Sequence, residues 1–102
     1  MDELSKIIIV EDDDTIRTIL EMALLGAGYR HVQSAARGDE GLRLIESREP
    51  DLVLLDRMLP GLDGLVICQR IRENPRLAST RIIMLTARSE NEDIIEKEKN
   101  NN

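Results

Sequence analysis

The chain has 102 residues, 41% of them apolar and almost all of those aliphatic, so we predict one domain over residues 1–102 with an aliphatic core. Its net charge of -6 argues against direct binding of nucleic acid, which requires a clustered basic face. A lone Cys68, no secretory leader and no apolar run near the ~20 residues that span a bilayer lead us to expect a cytoplasmic domain without membrane contact.

The first predicted elements are a buried strand and an amphipathic helix. A continuous β-branched run, "KIIIV" at 6–10, is typical of a strand buried on both faces. Asp13 or Asp14 is suited to cap the following helix, and "GAG" at 26–28 to end it. Apolar residues at three- and four-residue steps predict one apolar stripe on this helix, formed by Ile16, Ile19, Leu20, Ala23, Leu24 and Ala27.

The remaining elements continue the alternation. They are a strand "HVQSA" (31–35), a helix that ends before Pro50, a strand "DLVLLD" (51–56), a loop "RMLPGLDG" (57–64), a third helix ended by "NP" (74–75) and a strand "RIIML" (81–85). One face of the third helix is expected to carry Leu65, Ile67, Cys68 and Ile71. Strands that alternate with helices in this way indicate a parallel sheet covered on both faces, a doubly wound α/β domain.

Oxygen-bearing side chains stand where three of these strands end. Glu11 and Asp12 follow the first strand, Asp56 ends the third, and Thr86 follows the fourth. Ligands bind at this edge of doubly wound sheets. If the first and third strands are neighbours, three carboxylates converge there, and between apolar walls they would repel one another. Mg²⁺ prefers oxygen ligands and would neutralise them. The alternative interpretation is that the acids are helix caps and solvated strand ends.

Several other chemistries are excluded by the residues present. The chain has no "GxxxxGK[ST]" loop, and its first turn is acidic where a nucleotide phosphate would need bare amides. A phosphatase with two aspartates two positions apart would need an acid where Met58 stands. No Ser or Cys is placed beside the only histidine, His31, which we expect at the surface.

The motifs "IIIVEDDD…IR", "PDLVLLDRMLPGLDGL" and "IIMLTA" resemble the receiver domain of two-component response regulators, most closely receivers attached to winged-helix transcription factors. The resemblance implies a flavodoxin-like sheet of strand order 2-1-3-4. It also implies that Glu11, Asp12, Asp56 and the backbone carbonyl of Met58 hold Mg²⁺. Asp56 would accept a phosphoryl group from a histidine kinase, and Thr86 would be the switch hydroxyl. Such a module is a phosphoacceptor, not a metabolic enzyme.

The resemblance further implies a fifth strand ending in a lysine, and a last helix, and we expect neither before Asn102. Lys97 and Lys99 come too early for the lysine's role. The fourth strand would then be an open edge, and we expect self-association there or exchange of elements with a second copy. Two alternatives remain: an interaction or assembly module that cannot be phosphorylated, and an experimental fragment of a response regulator.

Overall fold

The computed structural model describes residues 2–85, so the predicted switch residue Thr86 lies outside the described part of the chain. The predicted alternation of strands and helices is confirmed, with boundaries that differ by a residue or two. The elements are β1 (Lys6–Val10), α1 (Asp14–Gly26), β2 (His31–Ala35), α2 (Gly38–Arg48), β3 (Leu52–Asp56), α3 (Gly64–Glu73), a 3-10 helix (Pro75–Leu77) and β4 (Arg81–Leu85).

The four strands form one parallel sheet in the order β2-β1-β3-β4. Lys6 of β1 lies opposite His31 of β2, and Ile7 lies opposite Leu52 of β3. The predicted doubly wound topology and strand order are therefore confirmed. Because β1 and β3 are neighbours and run in the same direction, the acids that follow one and end the other meet at a single edge of the sheet.

Alternating strand residues divide the core into two layers. The larger layer combines β1 and β3 residues with α2, α3 and the 3-10 helix: Ile8, Val10, Leu42, Ile45, Val53, Leu55, Ile67, Ile71 and Leu77. On the other face, Ile7, Ile9, Leu52 and Leu54 are buried, with Leu20 and Leu24 of α1 packed against them. The predicted burial of β1 on both faces is confirmed, since only Lys6 of this strand is exposed.

The prediction of which residues form the buried face of α3 is wrong for Leu65. Leu65 is 49% exposed, whereas Gly64, Ile67 and Ile71 are buried and Cys68 is half-buried. Positions 64, 67, 68 and 71 are three or four residues apart and lie on one side of the helix, whereas Leu65 is rotated about 100° from Gly64.

The apolar stripe predicted for α1 is only partly covered. Ile16, Leu20 and Leu24 are half-buried, but Ile19 is 59% exposed. Ala23 and Ala27 are exposed as well, so only part of the predicted apolar stripe is covered. The covered side of α1 is the one that packs over β1 and β2 and carries Leu20 and Leu24. None of the helices in this range is long and apolar enough to cross a membrane.

Candidate metal centre at the carboxyl edge of the sheet

The structure brings together the three carboxylates that the sequence singled out. Glu11 and Asp12 follow β1, and Asp56 ends β3, so the adjacent parallel strands present them side by side. One carboxylate oxygen from each residue lies within 4.8 Å of the others. Glu11 is 4% exposed, Asp56 is half-buried and Asp12 is exposed, so the cluster is a shallow pocket with one deep acid.

Burial and acidic neighbours disturb the ionisation of Glu11. The pKa of its carboxyl rises from 4.5 to about 8, first because burial disfavours the charged form. A hydrogen bond to Asp56 and repulsion from Asp56 and Asp12 raise this pKa further, against a backbone hydrogen bond from Asp13. The site therefore favours either a proton on Glu11 or a cation between the acids.

Helix α1 begins directly beside these acids, and its first residues hold the backbone that carries them. Asp13 is the N-cap, with its Oδ1 accepting from the Ile16 N–H at 2.9 Å. Arg17 Nη1 donates to the Glu11 carbonyl oxygen at 2.8 Å, and its guanidinium also pairs with Asp14. Arg17 thus fixes the Glu11 main chain. Its role was not predicted, although the spacing from the acids to an arginine on the first helix was the available signal.

The loop after Asp56 returns to the acidic cluster. The Met58 N–H donates to Asp56 Oδ1 at 3.4 Å, while the Met58 side chain is 67% exposed. This contact places the Met58 main chain beside the cluster, as a backbone ligand would require. The metal role of its carbonyl stays a prediction, as does the role of Thr86, which lies beyond the described residues.

Two close backbone approaches hold this loop, and neither was predicted from the sequence. The Gly38 N–H at the start of α2 donates to the Pro60 carbonyl at 2.8 Å, and a Cβ at Gly38 would lie 1.9 Å from the Leu62 carbonyl oxygen. At the end of the same loop, a Cβ at Gly64 would lie 2.3 Å from the Asp56 carbonyl oxygen. Only glycine, which has no Cβ, permits these distances, and the loop therefore packs directly against α2 and β3.

The donor set of the cluster fits a hard divalent cation. Three carboxylates offer oxygen atoms only, and Mg²⁺ commonly takes one or two carboxylates and keeps several waters. The pocket opens to solvent on the Asp12 side, which leaves room for those waters. Burial is the main cause of the raised pKa of Glu11, and repulsion from Asp56 and Asp12 adds to it; a cation would remove this second contribution.

The family of the chain follows from comparison with known proteins. The model of the response regulator receiver domain matches residues 7–101. The chain belongs to this family. It is 46% identical over 92 residues to the transcriptional regulatory protein AfsQ1 of Streptomyces coelicolor, covering 90% of this chain and 39% of that protein. It is 42% identical over 87 residues to the phosphate regulon transcriptional regulatory protein PhoB of Rhizobium meliloti, covering 85% of this chain and 38% of that protein.

Solved structures agree with this fold. The N-terminal domain of a response regulator receiver protein from Methanoculleus marisnigri superposes with a TM-score of 0.75 at 34% identity, over 83% of this chain and 68% of that one. The receiver domain of the sensor histidine kinase PA1611 from Pseudomonas aeruginosa, which has a magnesium ion in its active site cleft, gives 0.76 at 30% identity, over 87% and 75%. The chain spans about two-fifths of the length of the curated relatives it matches.

Proposed function

We propose that residues 1–102 form a single phosphoacceptor receiver module that takes a phosphoryl group on Asp56 from a histidine kinase. The observation that carries this proposal is the meeting of Asp56 with Glu11 and Asp12 within 4.8 Å, in a chain that belongs to the receiver family. An Asp56 carboxylate oxygen attacks phosphorus, the P–N bond to the kinase histidine breaks, and the imidazole leaves with the electron pair. The product is an acyl phosphate on Asp56.

Glu11, Asp12, Asp56 and the Met58 carbonyl are the residues that we propose as holders of Mg²⁺. Bound there, the ion would neutralise charge on the transferring phosphoryl group and orient it. The protein's own contribution is to keep the acids in place. Arg17 donates a hydrogen bond to the Glu11 carbonyl, and Asp56 is held next to the other acids as the last residue of β3. The module assists its own phosphorylation but converts no metabolite.

Phosphorylation adds nearly two negative charges to a pocket that is already acidic, so the surroundings must respond. We propose Thr86, which follows β4 in the sequence, as the hydroxyl that donates to the phosphoryl group. Movement of Thr86 toward the phosphoryl group would change the surface around β4, and the output is a change in protein contacts there.

The test is phosphorylation by a small acyl-phosphate donor with Mg²⁺, followed by intact-protein mass spectrometry. The unchanged chain should gain one phosphoryl group, and Asp56→Asn should gain none. Asp51→Asn is the matched control, because Asp51 directly precedes β3 at the opposite edge of the sheet and its oxygen accepts from the Lys6 N–H at 2.7 Å, which an amide oxygen also does. Incorporation that survives Asp56→Asn would refute Asp56 as the acceptor.

The second candidate function is an interaction or assembly module that is not phosphorylated. The observation that favours it is the exposed apolar surface of Ile19, Met22 and Leu25 on α1 and Ile83 on β4. Titration with Mg²⁺ separates the two candidates. The receiver proposal expects saturable binding that is lost in Asp56→Asn. If the unchanged chain binds no Mg²⁺, only the assembly module is supported.

A further inference from the structure

A second, basic pocket lies at the edge of the sheet opposite the carboxylates. It is a cavity of about 260 Å³ between the starts of β1 and β2 and the end of α2. Lys6, Arg30, His31 and Arg48 line it, together with the Gln33 amide and apolar residues of the two strands. In a chain with a net charge of -6, four of its fifteen basic side chains, 14 Lys and Arg with one His, therefore surround a single cavity.

The fixed positive charges of this pocket are not neutralised within residues 2–85. The ion pairs found in this range do not include Lys6, Arg30 or Arg48. Asp51 accepts from the Lys6 backbone N–H at 2.7 Å, but it does not line the cavity. The Lys6 ammonium donates to the Arg48 carbonyl oxygen at 2.9 Å, which leaves two of its three donor hydrogens for another acceptor.

Stabilisation of α2 explains only part of this arrangement. The Lys6 ammonium donates a hydrogen bond to a carbonyl at the end of α2. The charge of Arg48, in the last turn of this helix, interacts favourably with the negative end of the helix dipole. Neither effect involves Arg30 or His31, which belong to the other side of the cavity at the start of β2. Three parts of the fold, β1, α2 and the start of β2, thus bring basic side chains to one concave surface, which is the arrangement that recognises an anion.

We propose that this pocket binds a small organic anion with at least two negative charges, of the phosphate or polycarboxylate class. Its volume is near the lower end of the range for small-molecule sites, roughly 300 Å³, which suits a compact ligand. The Gln33 amide offers a further hydrogen bond, and the strand side chains offer a short apolar wall. The pocket is separate from the acidic cluster, since Lys6 and Val10 at the two ends of β1 are roughly 13 Å apart along the strand.

The experiment is calorimetric titration of the full chain with pyrophosphate and, separately, with citrate, in magnesium-free buffer of low ionic strength. We expect one saturable site for at least one of the two anions. Arg48→Gln and Arg30→Gln should each weaken it about tenfold, the effect of losing one charge-assisted hydrogen bond. Arg43→Gln is the matched control, because Arg43 is an exposed arginine of the same helix that does not line the cavity.

The two anions identify the class of ligand, since binding of pyrophosphate alone indicates a phosphate and binding of citrate alone a polycarboxylate. Equal weakening in Arg43→Gln and Arg48→Gln would show attraction by overall charge only and overturn the proposal. Absence of saturable binding of both anions would overturn it too. Backbone amide NMR gives the location: shifts at the starts of β1 and β2 are expected, and shifts confined to Glu11, Asp12 and Asp56 would contradict it.

Discussion

At the scale of single residues, Glu11 decides how the acidic cluster responds to pH. Its pKa of about 8 means that Glu11 keeps its proton at neutral pH while no cation is bound. Mg²⁺ must displace that proton, so its apparent affinity should rise as the pH increases from about 6 to about 9. Calorimetry in buffers of different ionisation enthalpy should detect release of up to one proton per bound ion. In Glu11→Gln both the proton release and this pH dependence should disappear.

The same residue makes a prediction for the stability of the metal-free protein. The pKa of Glu11 is higher in the folded chain than its ordinary value of 4.5, so the folded state binds more protons between these values. Folding stability from this group is therefore complete below about pH 4.5 and is lost as the pH rises through about 8. Glu11→Gln removes the loss, so its melting temperature should exceed that of the unchanged chain by about 4 °C or more near pH 8. An equal difference near pH 5 would contradict this account.

At the scale of elements, the loop between β3 and α3 depends on the close approach of Gly38. Gly38→Ala would force a Cβ to 1.9 Å from the Leu62 carbonyl oxygen, and backbone rather than a flexible side chain would have to move. We expect a loss of roughly 2–4 kcal/mol in the free energy of unfolding, measured by urea denaturation. Gly26→Ala is the control, because a Cβ there meets no atom within 4 Å, and its effect should be neutral or slightly stabilising.

The elements also show what the sequence could and could not predict. Local patterns were sufficient for the strands: the apolar runs at 7–10 and 52–55 are buried on both faces because each strand lies inside the sheet. The carboxylate cluster was predictable once the resemblance supplied the strand order, since neighbouring β1 and β3 bring Asp56 to Glu11. Tertiary contacts were not predictable in this way. Ile19 fits the helical period of α1, but its burial depends on a neighbouring element that periodicity does not specify.

The loop contacts were hidden for a different reason. Gly38, Gly61 and Gly64 look like ordinary turn residues, and only the folded chain shows that Gly38 lies against the Leu62 backbone and Gly64 against the Asp56 carbonyl. Arg17 was visible in the sequence, but its partner is a main-chain carbonyl, which has no signature in the sequence.

At the scale of the whole molecule, the sheet separates its charges. The carboxyl edge gathers Glu11, Asp12 and Asp56, and the amino edge gathers Lys6, Arg30 and Arg48. Anions are repelled from the first edge unless a cation is bound, and they are attracted to the second edge. The proposed phosphorylation site and the proposed anion pocket therefore respond to different conditions: the first requires Mg²⁺, and the second is weakened by added salt.

The apolar surface on the α1 side of the sheet argues for self-association. Among the described strands, β2 and β4 lie at the two edges of the sheet, and Ile83 of β4 is 51% exposed on the same face as Leu54. Pairing of two β4 edges would satisfy backbone groups and cover Ile83 in one step, so we expect sedimentation velocity to show a concentration-dependent dimer. Ile83→Lys should shift it to monomer, while Leu65→Lys, equally exposed on α3, should leave it unchanged. A compact monomer at high concentration, or equal effects of both lysines, would show that this edge is not the contact.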